Sequence, residues 1–403
     1  TATLSTADAS GNMLSTAQQI AFTILAGQAN TISLSLSGVP ASIVAHLLSA
    51  TTSNVLVEAL DVDGNIIVGP GAPTFTVGQT GGSTTLALLQ PTSTHPNTFY
   101  ATPSSPGSAT LHVTASYSGT NACTQPGAVC TANFAYTATQ ASQQLFVPNQ
   151  AGNDVAILNP PFTGSPAATI PVNSPYAVAF DSQGDLFVAT FSNPGYVYEY
   201  APPYTGSPLV TISGLLFPDG LAVAPDGTLY IANPYSGISR IAPPYTGTPV
   251  MIDTNGGARP TGMVFDPLGN LWVADLYGQD VREFQPPFTN GSTTYPIGTY
   301  AVDVGFDLNQ NMFVLSGNNQ IFESAPPYTT STQTITAGLN GANGLTLDPA
   351  GNLYVANQSI SDEGIAILAP PYASAVTNNN AGGYGADALR MLTLFNVSLS
   401  PSP

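Results

Sequence analysis

The sequence has little charge of either sign and almost none that is positive. Of its 403 residues only 6% are charged, and the four basic residues are all arginines, so the chain has no lysine. Against 22 carboxylates this gives a formal charge of −18. Because nucleic acids and anionic membranes are bound largely through basic patches, we expect neither as a partner. A neutral polar coat favours a secreted protein, and the alternative is a surface adapted to acid, where carboxylates lose their charge.

Long apolar runs are also missing, and cysteine is rare. No window of about 20 apolar residues is present, so we expect no membrane span. The chain begins at Thr1 rather than at methionine, which favours an extracellular or cell-surface protein after removal of a signal peptide. Cys123 and Cys130 are the only cysteines, and they flank a Pro126-Gly127 turn. In a secreted protein this spacing predicts a local disulfide.

Groups suited to catalysis are scarce. The three histidines, His46, His95 and His112, all precede residue 142, and no two of them have the spacing of metal ligands. The rest of the chain therefore lacks a histidine base, and without lysine it lacks an amine nucleophile. Neither a Gly-x-Ser-x-Gly elbow nor a phosphate-binding loop is present. These absences favour a protein that is not an enzyme and has no cofactor.

A repeated motif dominates the second part of the chain. Each copy has a short apolar strand, two prolines and then Tyr or Phe, and successive copies begin 40 to 44 residues apart. The proline pairs are Pro160-Pro161, Pro202-Pro203, Pro243-Pro244, Pro286-Pro287, Pro326-Pro327 and Pro370-Pro371. A period of about 40 to 45 residues with many short strands is typical of β-propeller blades. Six copies therefore predict six blades.

The clearest copy shows how one blade is built. Residues 262–275 read Gly-Met-Val-Phe-Asp-Pro-Leu-Gly-Asn-Leu-Trp-Val-Ala-Asp, and residues 220–233 and 344–357 are close relatives. Asp-Pro followed by Gly-Asn predicts a tight turn between two strands. On these motifs the chain resembles the NHL-repeat and gluconolactonase-like group of six-bladed propellers, from about residue 142 to 395. The resemblance implies a fold and leaves the activity open, since propellers host many functions.

The two ends of the repeat region predict how the ring closes. The first copy lacks an inner strand and opens at residues 144–147, whereas residues 386–395 follow the sixth Pro-Pro pair as a spare segment. We predict that this segment supplies the missing inner strand, because closure removes open sheet edges.

The first 141 residues have neither the repeat nor an arginine. Strands are predicted at residues 19–25, 31–36, 54–60, 65–68, 84–89, 108–117 and 133–137, with a helix at 41–50. Such strands separated by turns predict an antiparallel sandwich. Residues 57–68 resemble a hairpin of bacterial immunoglobulin-like domains, with its turn at Asp63-Gly64. The sequence thus predicts an all-β protein with an immunoglobulin-like β-sandwich at 1–141 and a six-bladed NHL-like β-propeller at 142–403, closed by the C-terminal strand.

The family resemblance also points to acidic residues at the propeller mouth. Gluconolactonase-like enzymes hold a divalent ion there with Glu, Asn and Asp. Asp219, Asp303, Asn343 and Asp387 lie near the starts of the inner strands here and offer the oxygen ligands that Ca²⁺ or Mg²⁺ prefers. The family's Glu has no counterpart, and each residue is equally suited to capping a strand or turn. We therefore expect no metal, and a metal-dependent lactonase-type hydrolase is an alternative function.

The favoured function is a secreted, non-enzymatic structural or interaction protein that self-assembles into an extracellular filament or surface layer. In the tail, Phe395, Val397 and Leu399 alternate with polar residues, as in a half-buried strand. Such a tail can add to the open edge of a neighbouring copy and so form a homo-oligomer or homopolymer. The alternative is that it folds back on its own propeller.

A glycan-binding propeller is a further alternative, and another surface protein is a possible partner. Tyrosines of the Pro-Pro motif, namely Tyr204, Tyr245 and Tyr328, are the candidates for a sugar-binding rim.

Overall fold

A computed structural model shows a chain of short strands joined by turns. It describes residues 14–16, 39–47, 54–68, 72–89, 97–117, 122–124, 126–181, 184–224, 226–253, 259–266, 269–286, 288, 291–358, 364–378 and 389–402. Within this part of the chain the helical structure is one 3-10 turn, Ala122–Thr124. The prediction of an all-β fold is confirmed. No helix in the described ranges has the length and apolar character needed to cross a bilayer.

The chain divides into two compact units. The first contains Thr1–Thr139 together with Phe395–Pro403, and the second contains Gln140–Leu394. The observed boundary lies within two residues of the one predicted at 141. The end of the chain differs from the prediction, since its last residues belong with the first unit and not with the propeller.

The first unit has two sheets around one apolar core. Its strands are β1 (Leu14–Thr16), β2 (Ser42–Leu47), β3 (Asn54–Leu60), β4 (Ile66–Val68), β5 (Thr74–Gly82), β6 (Leu86–Leu89), β7 (Thr98–Pro103), β8 (Gly107–Ser116) and the first part of β9 (Thr131–Asn149). One sheet has the order β1-β4-β3-β7-β6 with β2 on β3, and the other contains β5-β8-β9. Val57 and Phe99 of the first sheet share a core with Leu111 and Tyr136 of the second. The Tyr136 hydroxyl donates a hydrogen bond across this core to the carbonyl of Ala101 (2.9 Å).

The helix predicted for residues 41–50 is wrong. Ser42–Leu47 forms strand β2, which pairs with β3 along its whole length, from Ser42 opposite Leu60 to Leu47 opposite Val55. The partner strand supplies hydrogen bonds and a core for Ile43, and this tertiary contact outweighs local helix propensity. The strands predicted at 19–25 and 31–36 lie outside the described residues.

Strands β1, β5 and β7 of the first unit were not predicted. Strands β5 and β7 alternate buried and exposed positions over part of their length. Glycine interrupts the apolar pattern of β5 and proline ends β7, and both residue types are poor strand signals.

The second unit repeats a four-stranded antiparallel sheet, with the strands in chain order. The five complete sheets are β12 (Pro175–Phe180), β13 (Leu186–Thr190), β14 (Gly195–Tyr200) and β15 (Val210–Leu215); β16 (Gly220–Val223), β17 (Leu229–Asn233), β18 (Gly237–Ile241) and β19 (Val250–Asp253); β20 (Pro260–Phe265), β21 (Leu271–Asp275), β22 (Asp280–Phe284) and β23 (Thr293–Pro296); β24 (Ala301–Phe306), β25 (Met312–Ser316), β26 (Gln320–Ser324) and β27 (Gln333–Ile335); and β28 (Ala342–Leu347), β29 (Leu353–Asn357), β30 (Gly364–Leu368) and β31 (Val376–Asn378). The first strands of successive sheets contact one another, so these strands line a common axis.

The first repeat obtains a fourth strand from the end of the chain. It contributes β10 (Asp154–Leu158) and β11 (Ala168–Pro171), which follow the second part of β9. Strand β32 (Arg390–Pro401) pairs with β9, as predicted for the C-terminal segment. It differs from the prediction by continuing past residue 395 into the first unit.

The aromatic residue after each Pro-Pro pair packs edge-on against an aromatic residue in the second strand of the preceding repeat. The six pairs are Tyr204–Phe146, Tyr245–Phe187, Phe288–Tyr230, Tyr328–Trp272, Tyr372–Phe313 and Phe162–Tyr354, with ring centroids 5.1 to 5.6 Å apart. Each of the six motif residues has φ between 58° and 64°, a left-handed conformation that is unfavourable for an aromatic residue. The ring contacts offset that cost, and the last pair joins the first repeat to the last.

Candidate functional site

A polar pocket of about 140 Å³ opens where the first strands of the repeats begin. Its lining residues are Tyr176, Asp219, Arg259, Thr261, Gly262, Leu276, Val302, Asp303 and Asn343. Five different repeats contribute to this list, because each first strand starts on the same side of the ring. We call this cavity the mouth pocket.

Glycine allows the strands to approach one another closely at this level. A Cβ atom on Gly262 would overlap the carboxylate of Asp303, and one on Gly220 would overlap the carbonyl oxygen of Thr261. Gly220 is the first residue of β16 and Gly262 is the third residue of β20, where the first strands lie close together around the axis. The absence of a side chain at Gly262 is therefore what leaves room for the Asp303 carboxylate.

Asp219 and Arg259 form one wall of the mouth pocket. The Arg259 guanidinium lies 3.6 Å from Asp219 Oδ2, and only 5% of Asp219 is exposed. Within the described residues, neither Asp219 Oδ2 nor Arg259 Nε has a hydrogen-bond partner. Burial raises the pKa of Asp219 to about 7; the charge of Arg259 opposes this rise and that of Asp303 adds to it.

Asp303 is buried too, but its oxygens are occupied. Oδ1 accepts a hydrogen bond from the amide of Val304 (2.9 Å), and Oδ2 accepts one from the amide of Leu345 (2.9 Å). The guanidinium of Arg390 lies 3.3 Å from the same Oδ2. This carboxylate therefore anchors two neighbouring first strands, β24 and β28, to the closing strand.

Arg390 ties several strands together at the axis. Besides Asp303, its guanidinium donates to the carbonyls of Met263 (3.0 Å), Leu345 (3.1 Å) and Leu389 (2.9 Å). These partners lie on β20, on β28 and beside β32. These hydrogen bonds explain how an arginine is accommodated in the closing strand.

The sequence-based metal candidates come together in part. Asp219, Asp303 and Asn343 all line the mouth pocket, whereas Asp387 lies outside the described residues. Each of the two carboxylates has a guanidinium within 4 Å, and this positive group would repel a divalent cation. Asn343 donates its amide to the Tyr176 hydroxyl (3.3 Å). This donor set does not fit a Ca²⁺ or Mg²⁺ site, and no other cluster of metal-ligating side chains is found among the residues described.

Aromatic rings lead away from the mouth pocket in a continuous series, which we call the aromatic strip. Tyr176 stacks on Phe191 (4.5 Å between centroids), Phe191 contacts Phe217 (5.2 Å), and Phe217 contacts Tyr235 (5.8 Å). The Tyr235 side chain is 70% exposed. These residues come from the start of β12 and from loops that precede or follow first and second strands on the same side as the pocket.

The tyrosines predicted for a sugar-binding rim have another role. Tyr204 and Tyr245 are each 7% exposed, and Tyr328 is half-buried. Their hydroxyls donate to the carbonyls of the β-hairpin turns, at Gly184 (2.9 Å), Gly227 (2.8 Å) and Gln310 (2.9 Å). They hold the blades together and do not line the mouth pocket, so this prediction is wrong.

The remaining candidate residues lie in the first unit. Cys123 and Cys130 form a disulfide, with 5.9 Å between their Cα atoms. Val397 is buried in the core of the first unit, and Leu399 packs against it. The side chain of Phe395 lies outside the described residues. The tail thus folds back within its own chain, onto the first unit and not onto the propeller.

Sequence reasoning missed Arg259, Tyr176 and the rest of the aromatic strip. A signal for Arg259 was present: it is one of four cations in the chain and directly precedes a first strand. The strip carried no such signal, because its residues are separated in sequence. Tyr176 and Phe191 meet across one β-hairpin, and Phe191 and Phe217 meet only when two neighbouring repeats are side by side.

Comparison with known proteins identifies a fold but no family. No protein family and no curated protein matches the sequence. Among solved structures, one of a nidogen/laminin complex matches with a TM-score of 0.53 at 14% identity, covering 62% of this chain and 98% of that one. A Bacteroides caccae protein of unknown function matches at TM-score 0.49, 14% identity, with 62% and 99% covered. A streptogramin B lyase matches at 0.46, 10% identity, with 67% and 98% covered. The second unit is accordingly a β-propeller in its fold.

Proposed function

We propose that this chain is a secreted, non-enzymatic binding protein whose propeller holds its ligand at the mouth pocket. The observation that carries the proposal is the missing hydrogen bond of Asp219 Oδ2. This atom is buried on the pocket wall beside Arg259 and accepts no hydrogen bond from the described residues. Leaving a buried acceptor without a hydrogen bond costs about 1–3 kcal/mol, so such an atom in a pocket is a sign of a ligand contact.

The proposal includes a finer architecture, a six-bladed NHL-like propeller preceded by an immunoglobulin-like sandwich. Six edge-on aromatic pairs, the last between Phe162 and Tyr354, support the number of blades. Two sheets with a shared core support the sandwich.

The extracellular location belongs to the same proposal. A disulfide between Cys123 and Cys130 is typical of an oxidising compartment. The near absence of positive charge and the many neutral polar residues agree with this location.

A metal-dependent lactonase-type hydrolase is the enzymatic alternative. Arg259 and Arg390 stand against it, since they occupy the places beside Asp219 and Asp303 where a divalent cation would sit. Assays with simple lactones, with and without a chelator, decide this point. Turnover that is abolished by the chelator and by Asp303→Asn would contradict the binding proposal.

The binding proposal is tested on arrays of extracellular proteins and glycans. We expect the intact protein to retain at least one ligand, and Arg259→Ala to weaken that binding. A matched control is Val250→Ser, a change at a 64% exposed position on outer strand β19. Binding that tolerates Arg259→Ala as well as it tolerates Val250→Ser would place the ligand elsewhere and overturn the proposal.

Self-association through the chain end is a second candidate function. Its expected mode is exchange of the tail between copies rather than addition to an open sheet edge. Val397 and Leu399 fill part of the first unit's core in their own chain. A homo-oligomer or filament would therefore form by exchange, with the tail of one copy in the core of the next. Light scattering and electron microscopy of the protein with and without residues 395–403 test this. Assemblies that survive the deletion would refute exchange.

A further inference from the structure

We propose that the mouth pocket and the aromatic strip together bind a neutral carbohydrate chain. One sugar residue would occupy the pocket, and the adjoining residues would lie on the strip. The inference rests on the proposed function, because it names the ligand class of the same site.

The charges around the pocket suit a ligand without net charge. Two carboxylates, Asp219 and Asp303, lie 3.6 and 3.3 Å from the guanidinium groups of Arg259 and Arg390. Each formal charge therefore has an opposite charge beside it. An anion or a cation entering the pocket would meet repulsion along with attraction, whereas a neutral polar molecule would meet neither.

The hydrogen-bonding groups on the pocket wall match hydroxyl groups. Asp219 Oδ2 is an acceptor and Arg259 Nε is a donor, and neither has a hydrogen-bond partner among the described residues, although the Arg259 guanidinium lies 3.6 Å from Asp219 Oδ2. A hydroxyl donates one hydrogen bond and accepts others. Neighbouring hydroxyls of one sugar ring can therefore satisfy the carboxylate and the guanidinium together, which a ligand offering only donors or only acceptors cannot do.

The aromatic strip supplies the apolar surface that a sugar ring requires. A pyranose has C–H groups on its faces, and these groups pack on the faces of aromatic rings. A tyrosine such as Tyr235 offers such a face while its hydroxyl stays in water. Phe217 and the 70% exposed Tyr235 continue the series of ring contacts that begins with Tyr176 in the pocket. A single exposed tyrosine needs no explanation, but four rings in contact that lead to a polar cavity mark a binding surface.

The size of the cavity limits how much of the ligand enters it. Its volume of about 140 Å³ is below the ~300–1,000 Å³ of pockets that enclose drug-sized ligands. A single sugar unit is a suitable occupant, and a longer chain must continue outside, over Phe217 and Tyr235.

The test measures binding of neutral oligosaccharides (glucans, mannans and galactans) and of sulfated or sialylated ones to the full chain by titration calorimetry. We expect binding to at least one neutral series. Tyr235→Ser should weaken it about 2- to 10-fold, as expected for the loss of one stacked ring. Asp219→Asn should weaken it about 10- to 100-fold, as expected for the loss of a charged acceptor. Val250→Ser on the outer strand should leave it unchanged.

The outcomes separate this inference from the proposed function. If Tyr235→Ser, which alters an exposed side chain and leaves the core intact, has no more effect than Val250→Ser, the strip does not bind sugar. If only charged glycans bind, or if a protein ligand is lost in Arg259→Ala while no neutral glycan binds, the carbohydrate inference fails and the binding function stands. If no ligand of any class responds to the pocket variants, both fail.

Discussion

Phe162 packs edge-on against Tyr354, with 5.3 Å between the ring centroids and 85° between the ring planes. The two residues belong to the first and last repeats, and their contact is the same one that joins every other neighbouring pair of repeats. It therefore ties the beginning of the ring to its end.

Phe162→Ala tests that closure. The ring of Phe162 is 4% exposed, so its removal should lower the free energy of unfolding by about 3–5 kcal/mol. Urea unfolding followed by the fluorescence of Trp272, the sole tryptophan, reports on the propeller. Phe288→Ala removes the same ring type inside the series and is the control. If the first and last repeats were not in contact, Phe162→Ala would lower the free energy of unfolding much less than Phe288→Ala.

Arg390→Met should destabilise the propeller strongly. It keeps the length of the side chain but leaves the 1% exposed Asp303 carboxylate without its cation, which typically costs about 3–5 kcal/mol. Adding Asp303→Asn should recover part of the loss, since the buried charge is then removed as well. A double-mutant cycle on Trp272 fluorescence measures the coupling, and additive effects would argue against a direct interaction.

The protein should be more stable in mild acid than at neutral pH. Burial is the main cause of a raised pKa in Asp185, Glu199, Asp219, Asp280 and Glu323. A carboxyl group with a raised pKa in the folded state binds more protons there than in the unfolded chain, so stability falls as pH rises through that interval. For Asp219 the interval runs from its ordinary value of 3.8 to about 7.

Urea unfolding at several pH values between about 4 and 8 measures this dependence. Asp219→Asn should flatten it, whereas Asn in place of Asp63, which is exposed in a hairpin turn, should not. A free energy of unfolding that rises from acid to neutral pH would contradict the prediction.

Replacing Cys123 and Cys130 with serine should have a modest effect on the first unit. The disulfide closes a loop with a sequence separation of 7 residues. The chain-entropy argument assigns such a short loop only about 2–3 kcal/mol. Calorimetry of the double variant should show a lower transition for the first unit and an unchanged one for the propeller. Loss of both transitions would mean that the bond has a larger role than its loop length implies.

Local sequence predicted the turns and the repeated sheets correctly. The Asp266 turn is an example: its carboxylate accepts the amide of Asn270 (2.9 Å) and the indole N–H of Trp272 (2.8 Å). The period of the Pro-Pro motif likewise indicated the repeated sheets. Residues 41–50 failed because short apolar runs suit helix and strand alike, and a partner strand made the choice.

The sequence by itself determined the all-β composition and the repeat, because strand periodicity, turns and repeat spacing are local properties. It also indicated the pairing of the C-terminal segment with the first repeat, because that repeat lacks an inner strand. Only the tertiary structure decided which side chains meet. It placed Asp219 beside Arg259 without a hydrogen bond for its second oxygen, joined Tyr176 to Tyr235 through two phenylalanines, and buried Tyr204 within the blades. The contacts Asp219–Arg259, Phe191–Phe217 and Tyr204–Phe146 join residues from different repeats. The order of residues along one strand carries no information about the facing side chain on the next blade.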